Sequence, residues 1–166
     1  MSQLLIQNPD DPTEVCLVDS LEGREGWTVL PASDADAVVL ADRKAEMRRA
    51  VNFLRDRKQD STAASPIGRI QVDEKSKTKI NGLVSMASLA KQAGEPFLDS
   101  KGNPVRFTNA EDERVPVDAD AMIAVGIAAG AHVMNCHNHA AELKESIEEA
   151  ASLSDLEAVD IEEGWP

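Results

Sequence analysis

Residues 122–147 read MIAVGIAAGAHVMNCHNHAAELKESI, and the spacing of the apolar positions in this run decides the architecture. Met122, Gly126, Ala129, Val133, Cys136, Ala140, Leu143 and Ile147 follow one another at alternating steps of four and three. That spacing puts them on one stripe of a helix, a heptad seam. Asp118 stands just upstream, where its carboxylate can cap the first turn, so the pattern predicts a helix over about 118–150. Gly126, Ala129 and Gly130 make the first half of the seam thin enough for another backbone to come close. The expected partner is the second helix of the chain, predicted over 73–93, packed antiparallel with a hairpin spanning the turn; a neighbouring subunit is the alternative.

Upstream of the seam, Pro104 to Thr108 and Arg114 to Val117 bracket the polar run from Asn109 to Glu113 and predict a β-hairpin. A second helix is predicted over 73–93. Asp73 and Glu74 sit at its positive end, Ile80, Leu83, Val84, Ala87 and Ala90 form one stripe, and Gly94 ends it. Residues 59–66, rich in Ser, Thr, Ala and Pro, read as a linker and a domain boundary. Before them a helix is predicted over 34–58, with Ser33 or Asp34 as its cap and Leu40, Met47 and Leu54 recurring every seven residues around Ala50 and Val51. Arg43, Lys44, Arg48, Arg49, Arg55, Arg57 and Lys58 make it the one basic tract of the chain. A solvated face is the expected reading, and docking on an acidic partner, including another copy of the chain, the other. Short strands are predicted over 3–7, 14–18 and 27–30. The last residues carry Asp155, Glu157, Asp160, Glu162 and Glu163 without a basic residue, yet keep Leu153, Leu156, Val159, Ile161 and Trp165. Such a tail is mobile until it docks, and Trp165 is either mobile with it or an anchor that fills a partner's pocket.

The expected fold is therefore α+β: N-terminal short β-strands, a basic amphipathic helix, then a helix–β-hairpin–long helix module built as an antiparallel helical hairpin. Its segments are 1–33 (small β segment), 34–58 (amphipathic helix), 59–66 (linker), 67–150 (helix–hairpin–helix domain) and 151–166 (acidic tail).

Composition narrows function. The 166 residues are 42% hydrophobic but only 3% aromatic, with no Tyr, so the core is made of Ala, Val, Leu, Ile and Met. A formal charge of -13 argues against nucleic acid, whose binding needs Lys and Arg on phosphates. No unbroken stretch reaches the ~18 apolar residues of a membrane helix, and residues 1–11 lack a secretory signal pattern. No membrane partner and synthesis in a reducing cytoplasm are expected. Cys16 and Cys136 are far apart and signal neither a disulfide framework nor a metal knuckle.

The sharpest chemical candidates are His132, Cys136, His137 and His139, which include all three histidines of the chain. On a helix His132, Cys136 and His139 fall on neighbouring positions of one face, and with a fourth ligand from elsewhere they could hold zinc. Against this, Cys136 belongs to the apolar seam, so satisfied side chains beside a packing surface are expected, with no metal or other cofactor. Cys136 as a nucleophile would need a base from another element and an oxyanion site, and neither is signalled. Phosphate-binding and dinucleotide fingerprints are absent. Glu111, Asp112 and Glu113 read as a solvated loop rather than a cation site. No catalytic residue is assigned.

Several runs are similar to a known family: Ser65 to Ser76 (SPIGRIQVDEKS), Ile80 to Val84 (INGLV), Phe107 to Asp112 (FTNAED), and Met122 to Gly126 leading to Ala131-His132-Val133 and Cys136-His137. Over about residues 65–150 the chain resembles the bacteriophage tail-fibre-associated domain of unknown function 4376, and the likeness extends to Ala45 if the basic helix is included. The first strands and the acidic tail lie outside it. The resemblance implies a place, the virion tail near its fibres, rather than a reaction. The expected function is a structural component of a bacteriophage tail, a fibre- or baseplate-associated adaptor that is not an enzyme. It would be made in the host cytoplasm, would form a homo-oligomer and would contact other tail proteins through Leu40, Met47, Leu54, Met122, Gly126, Ala129, Val133 and Trp165. A tail-fibre assembly chaperone that leaves before the virion is complete is the alternative.

Overall fold

The structure, a computed structural model, describes residues 4–10, 14–18, 20, 22–29 and 31–166, with side chains for all of these but 5, 17 and 32–35. In chain order the elements are β1 (Leu4–Gln7), β2 (Val15–Val18), β3 (Thr28–Val29), α1 (Ala32–Gln59), β4 (Thr62–Ser65), β5 (Gly68–Gln71), α2 (Glu74–Ala93), β6 (Arg106–Thr108), β7 (Arg114–Pro116), α3 (Ala119–Glu149) and α4 (Leu153–Glu157). The chain is α+β, with short antiparallel strands and a long C-terminal helix.

The helix ends follow from their capping chemistry. Asp118 Oδ1 accepts from Ala121 N at 2.8 Å to start α3, and Asp73 Oδ1 accepts from Ser76 N at 3.0 Å to start α2. The bonds from Ser76 hold the Asp73 carboxyl below its usual range. Gly94, at φ 70°, ends α2 in the left-handed conformation that a side chain disfavours. Helix α1 departs from the expectation. It begins at Ala32 behind Pro31, which sits at the cap position without a side-chain hydrogen bond, so neither Ser33 nor Asp34 is the cap, and their side chains lie outside the described set. A proline is tolerated there because the first helical N–H groups have no intrahelical partner anyway. Gln3 and Leu30, at the margins of two expected strands, also lie outside the described residues.

Helix α3 is the axis of the molecule. Lys91 meets Asp120 and Val84 meets Gly126, so α2 runs antiparallel along its first half. Lys44 reaches Glu148 and Lys58 reaches His132, so α1 runs antiparallel along its second half. The expected single partner for the seam is thereby corrected to two. The reason is length: α2 has 20 residues and α3 has 31, which at ~1.5 Å per residue leaves about 16 Å of seam that α2 cannot cover.

Two cores result. One gathers Ile70, Val72, Ile80, Ala87, Phe107, Val117, Met122, Val125 and Ala129 around the α2–α3 contact. The other gathers Val51, Ala140, Leu143, Ile147, Ala150 and Leu156, with Leu40, Met47, Val159, Ile161 and Trp165 packed against it.

The expected linker over 59–66 is overturned. Its Thr62–Ser65 stretch is β4, paired with β5 in the register Thr62↔Gln71 to Ser65↔Gly68 around a two-residue Pro66-Ile67 loop. Gly68, at φ 96°, closes the turn, and Ser65 Oγ donates to Gly68 O at 2.6 Å. The stretch is ordered because Ala63 and Ile70 face the first core at 5% and 0% exposure, so the boundary expected there does not separate two units. The acidic tail is likewise corrected. It forms α4 and folds onto α1 and α3, because its spaced apolar residues complete the second core. Near the N-terminus the strands form one antiparallel sheet of order β2-β1-β3, with Ile6 fully buried and β1 against α1.

Among the described residues α3 is long and apolar enough, by length and composition, to cross a membrane, and 28% of its most apolar window is buried. The sequence shows no unbroken apolar run there because His132, Asn135 and His137 interrupt it.

Candidate functional site

The residues expected to contact partners are mostly spent inside the chain. Leu54, Met122 and Ala129 are buried, and Leu40, Met47, Val133 and Trp165 are partly buried against the two cores. Gly126 lies under Val84.

The histidine cluster does not converge on one point. His132, 6% exposed, donates from Nε2 to Lys58 O at 2.9 Å, with Ser61 Oγ 3.5 Å and Cys136 Sγ 3.9 Å away. The same carbonyl accepts the Ser61 hydroxyl at 2.6 Å. His132 and the Ser61 hydroxyl therefore converge on a carbonyl in the last turn of α1 that also accepts from Ser61 N at 3.1 Å, which fastens α3 to the end of α1. His137 Nε2 donates to Gln59 Oε1 at 3.1 Å, a second tie to the same helix end. His139 turns to the tail: its Nε2 donates to Glu163 O at 2.9 Å and its ring meets Trp165 edge-on at 4.8 Å, while Trp165 Nε1 donates to Ile161 O at 2.9 Å. Trp165 is thus an anchor, as one of its two expected readings had it, but for its own chain. Gly164 is required in this latch, since a Cβ there would lie 2.7 Å from the His139 ring and its φ is 82°.

Among the described residues no three His, Cys, Asp or Glu side chains form a set that could hold a metal ion. The structure brings His132 and Cys136 together and sends His139 elsewhere. Burial pushes the Cys136 thiol up, and the Lys58 charge only partly offsets this. A thiol so placed is a poor nucleophile at neutral pH. Native iodoacetamide labelling is expected to modify Cys16, which is partly exposed, while Cys136 reacts only when the chain unfolds; equal labelling of both in the folded protein would contradict this burial.

The far end of α1–α3 is tied in the reverse sense. No basic residue stands in the last turn of α3, and α1 supplies the missing charge: Lys44 Nζ donates to Glu148 O at 2.7 Å and Arg48 pairs with the Glu148 carboxylate at 3.1 Å. The basic tract is otherwise a solvated face with a few exposed ion pairs, Arg43–Glu46 and Arg55–Asp56, each worth little.

A second polar centre was missed by sequence reasoning. The turn between β4 and β5 meets the loop between β6 and β7 at Asn109, which is 5% exposed. Its Oδ1 accepts from Glu113 N at 2.8 Å and Glu111 N at 3.1 Å, and its Nδ2 donates to Glu113 Oε2 at 3.1 Å and Ile67 O at 3.4 Å. Ala110 N donates to Arg69 O at 2.7 Å, so the two hairpins are joined by backbone as well. Gly68 is needed for the approach, since a Cβ there would stand 3.1 Å from Asn109 Nδ2. The PIGR and TNAED runs, separated in the chain by the 38 residues from Ile70 to Phe107, therefore make one corner. The available signal was an Asn opening a polar loop, the residue that ties its own backbone two positions on. Beside the corner lies a polar notch of about 200 Å³ lined by Gln71, Ser76, Lys79, Phe107, Thr108 and Asp112. Asn109→Ala is expected to cost about 1–2 kcal/mol, because it removes the partners of the partly buried N–H groups of Glu111 and Glu113, read as a lowered denaturation midpoint; a loss under about 0.5 kcal/mol would show that water replaces the side chain.

The family described as Domain of unknown function (DUF4376) matches residues 42–163. No curated protein and no solved structure matches the chain. The matched region is wider than the resemblance over 65–150. It takes in most of α1 and reaches Glu163, the residue whose carbonyl His139 holds, so the tail belongs to the domain. The chain is a member of the DUF4376 family.

Proposed function

We propose that this protein is a structural component of a bacteriophage tail, a fibre- or baseplate-associated adaptor that works by protein–protein contact and is not an enzyme. The observation that carries the reading is how the chain uses its chemically versatile side chains. His132, His137, His139 and Asn109 each fasten one element to another, as in a scaffold. The resemblance of residues 65–150 to tail-fibre-associated domains supports a position in the tail. A cleft of about 580 Å³ between Asp36, Leu40 and Ser152–Ser154 is open and has no convergent set of titratable groups. Mass spectrometry of purified particles from the phage or prophage that encodes the chain tests the reading. Stoichiometric presence is expected; absence from particles with presence in the lysate would replace it by the assembly chaperone.

A further inference from the structure

Helix α3 carries a second apolar seam, one residue out of phase with the first and so turned about 100° around the helix from it. Ile123, Ile127, Gly130 and Met134 are spaced at four, three and four. Ile127 is 68% and Met134 60% exposed, high values for large apolar side chains. Gly130 lies between them in mid-helix, where glycine is unfavourable, and an added Cβ there would meet nothing within 4 Å of this chain. Ile123 leans on the first core, but among the described residues none covers Ile127, Gly130 and Met134.

We propose that this face binds a second copy of the chain, α3 against α3, in an antiparallel two-fold crossing centred on Gly130. Charge selects the occupant and the direction. The 21 residues from Ala121 to Ala141 contain no Asp, Glu, Lys or Arg, so two molecules of net charge -13 meet here with no charged side chain in the contact itself, and Asp118 and Asp120 approach Glu142 of the second copy only at its two ends, where crossing helices diverge. A parallel pairing would bring the acidic runs of Glu142, Glu145, Glu148 and Glu149 side by side; the antiparallel one sets them roughly 40 Å apart. The seam is also close to palindromic: with Gly130 facing Gly130 of the second copy, each Ile127 falls near the other copy's Met134, which is the self-complementarity a two-fold contact requires. The glycine lets the backbones close so that these side chains pack.

This inference does not depend on the virion assignment, and the two fail separately. Sedimentation equilibrium of the full chain is expected to give a monomer–dimer equilibrium in the micromolar range. Ile127→Glu and Met134→Glu should each weaken it by about 30-fold or more, with unchanged helical circular dichroism because both sites are exposed. In a Cys16→Ser background, Ile127→Cys mixed with Met134→Cys should give an oxidised heterodimer, while Ile127→Cys alone should not cross-link. A monomer at tens of micromolar overturns the proposal. So does a dimer indifferent to Ile127→Glu, self-cross-linking at position 127, or flotation with neutral lipid vesicles through these residues without self-association.

Discussion

A chain ending at Ala150 is expected to lose about 5 kcal/mol of stability, as a sum over side chains that leave the second core. Leu156 is 2% exposed, and Val159, Ile161 and Trp165 pack on the same cluster; burying a full-sized apolar side chain contributes about 1.5–3 kcal/mol. The bonds His139–Glu163 and Trp165–Ile161 go with them. Small domains are stable by only about 5–15 kcal/mol, so the shortened chain should sit near its unfolding threshold. The effect should also be local. Helix α1 shares the second core with the tail, whereas α2 and the hairpins belong to the first. Amide exchange should therefore show loss of protection in α1 and the end of α3 with little change in α2. A shortened chain that unfolds within about 1 kcal/mol of the whole one would mean that the tail adds no net burial. Trp165→Ala is the milder version, with a cost of about 2 kcal/mol.

The tail also marks where sequence reading stopped. Its acidic composition pointed to a mobile segment, but the stability of such a segment is decided by what its few apolar residues can reach, and that depends on where the fold brings α1 and the end of α3. Spacing made the seam of α3 legible at once, because Met122, Ala129, Cys136, Ala140, Leu143 and Ile147 all prove buried. Asp118, Asp73 and Gly94 were legible for the same reason: capping is local chemistry. The β4–β5 hairpin was not. Thr62 to Ser65 has weak strand character, and its order comes from Ala63 facing a core contributed by α2 and α3. The histidines were legible as a group on one helix but not as three separate fasteners. Residues four and three apart share a helix face, yet His132 and His137 reach back to α1 while His139 reaches forward to the tail. Of the residues expected to meet partners, Met122, Gly126, Ala129 and Val133 on the first seam pack inside the chain, as the intramolecular reading of the seam had it. A seam predicts that something packs there, not whose chain it comes from.

Gly126 gives the sharpest test of the α2–α3 contact. A Cβ on this residue would stand 2.6 Å from Val84 Cγ2 and 3.6 Å from Val84 Cβ and Cγ1. Valine is branched at Cβ and stiff about χ1, so the methyl cannot swing aside and the helices must separate. Gly126→Leu is accordingly expected to destabilise by about 3 kcal/mol or more, since overpacking a close helix contact disturbs the first core along its length. Gly126→Ala sets two effects against each other: about 1 kcal/mol gained in helix propensity and about 1–3 kcal/mol lost to the clash, for a net loss of about 1 kcal/mol. The decisive measurement is the double variant. Val84→Ala removes the clashing methyls, so Gly126→Ala made in that background should stabilise rather than destabilise, a coupling of about 1–2 kcal/mol between residues in direct contact. Simple additivity would show that α2 and α3 do not approach at this point. Gly130→Ala, four residues along the same helix with nothing within 4 Å of the added carbon, supplies the control. Below the concentrations at which α3 pairs with a second copy, it should raise stability by up to about 1 kcal/mol through propensity alone. The two glycines of one helix then respond with opposite signs, because one already has a neighbour and the other has yet to meet one.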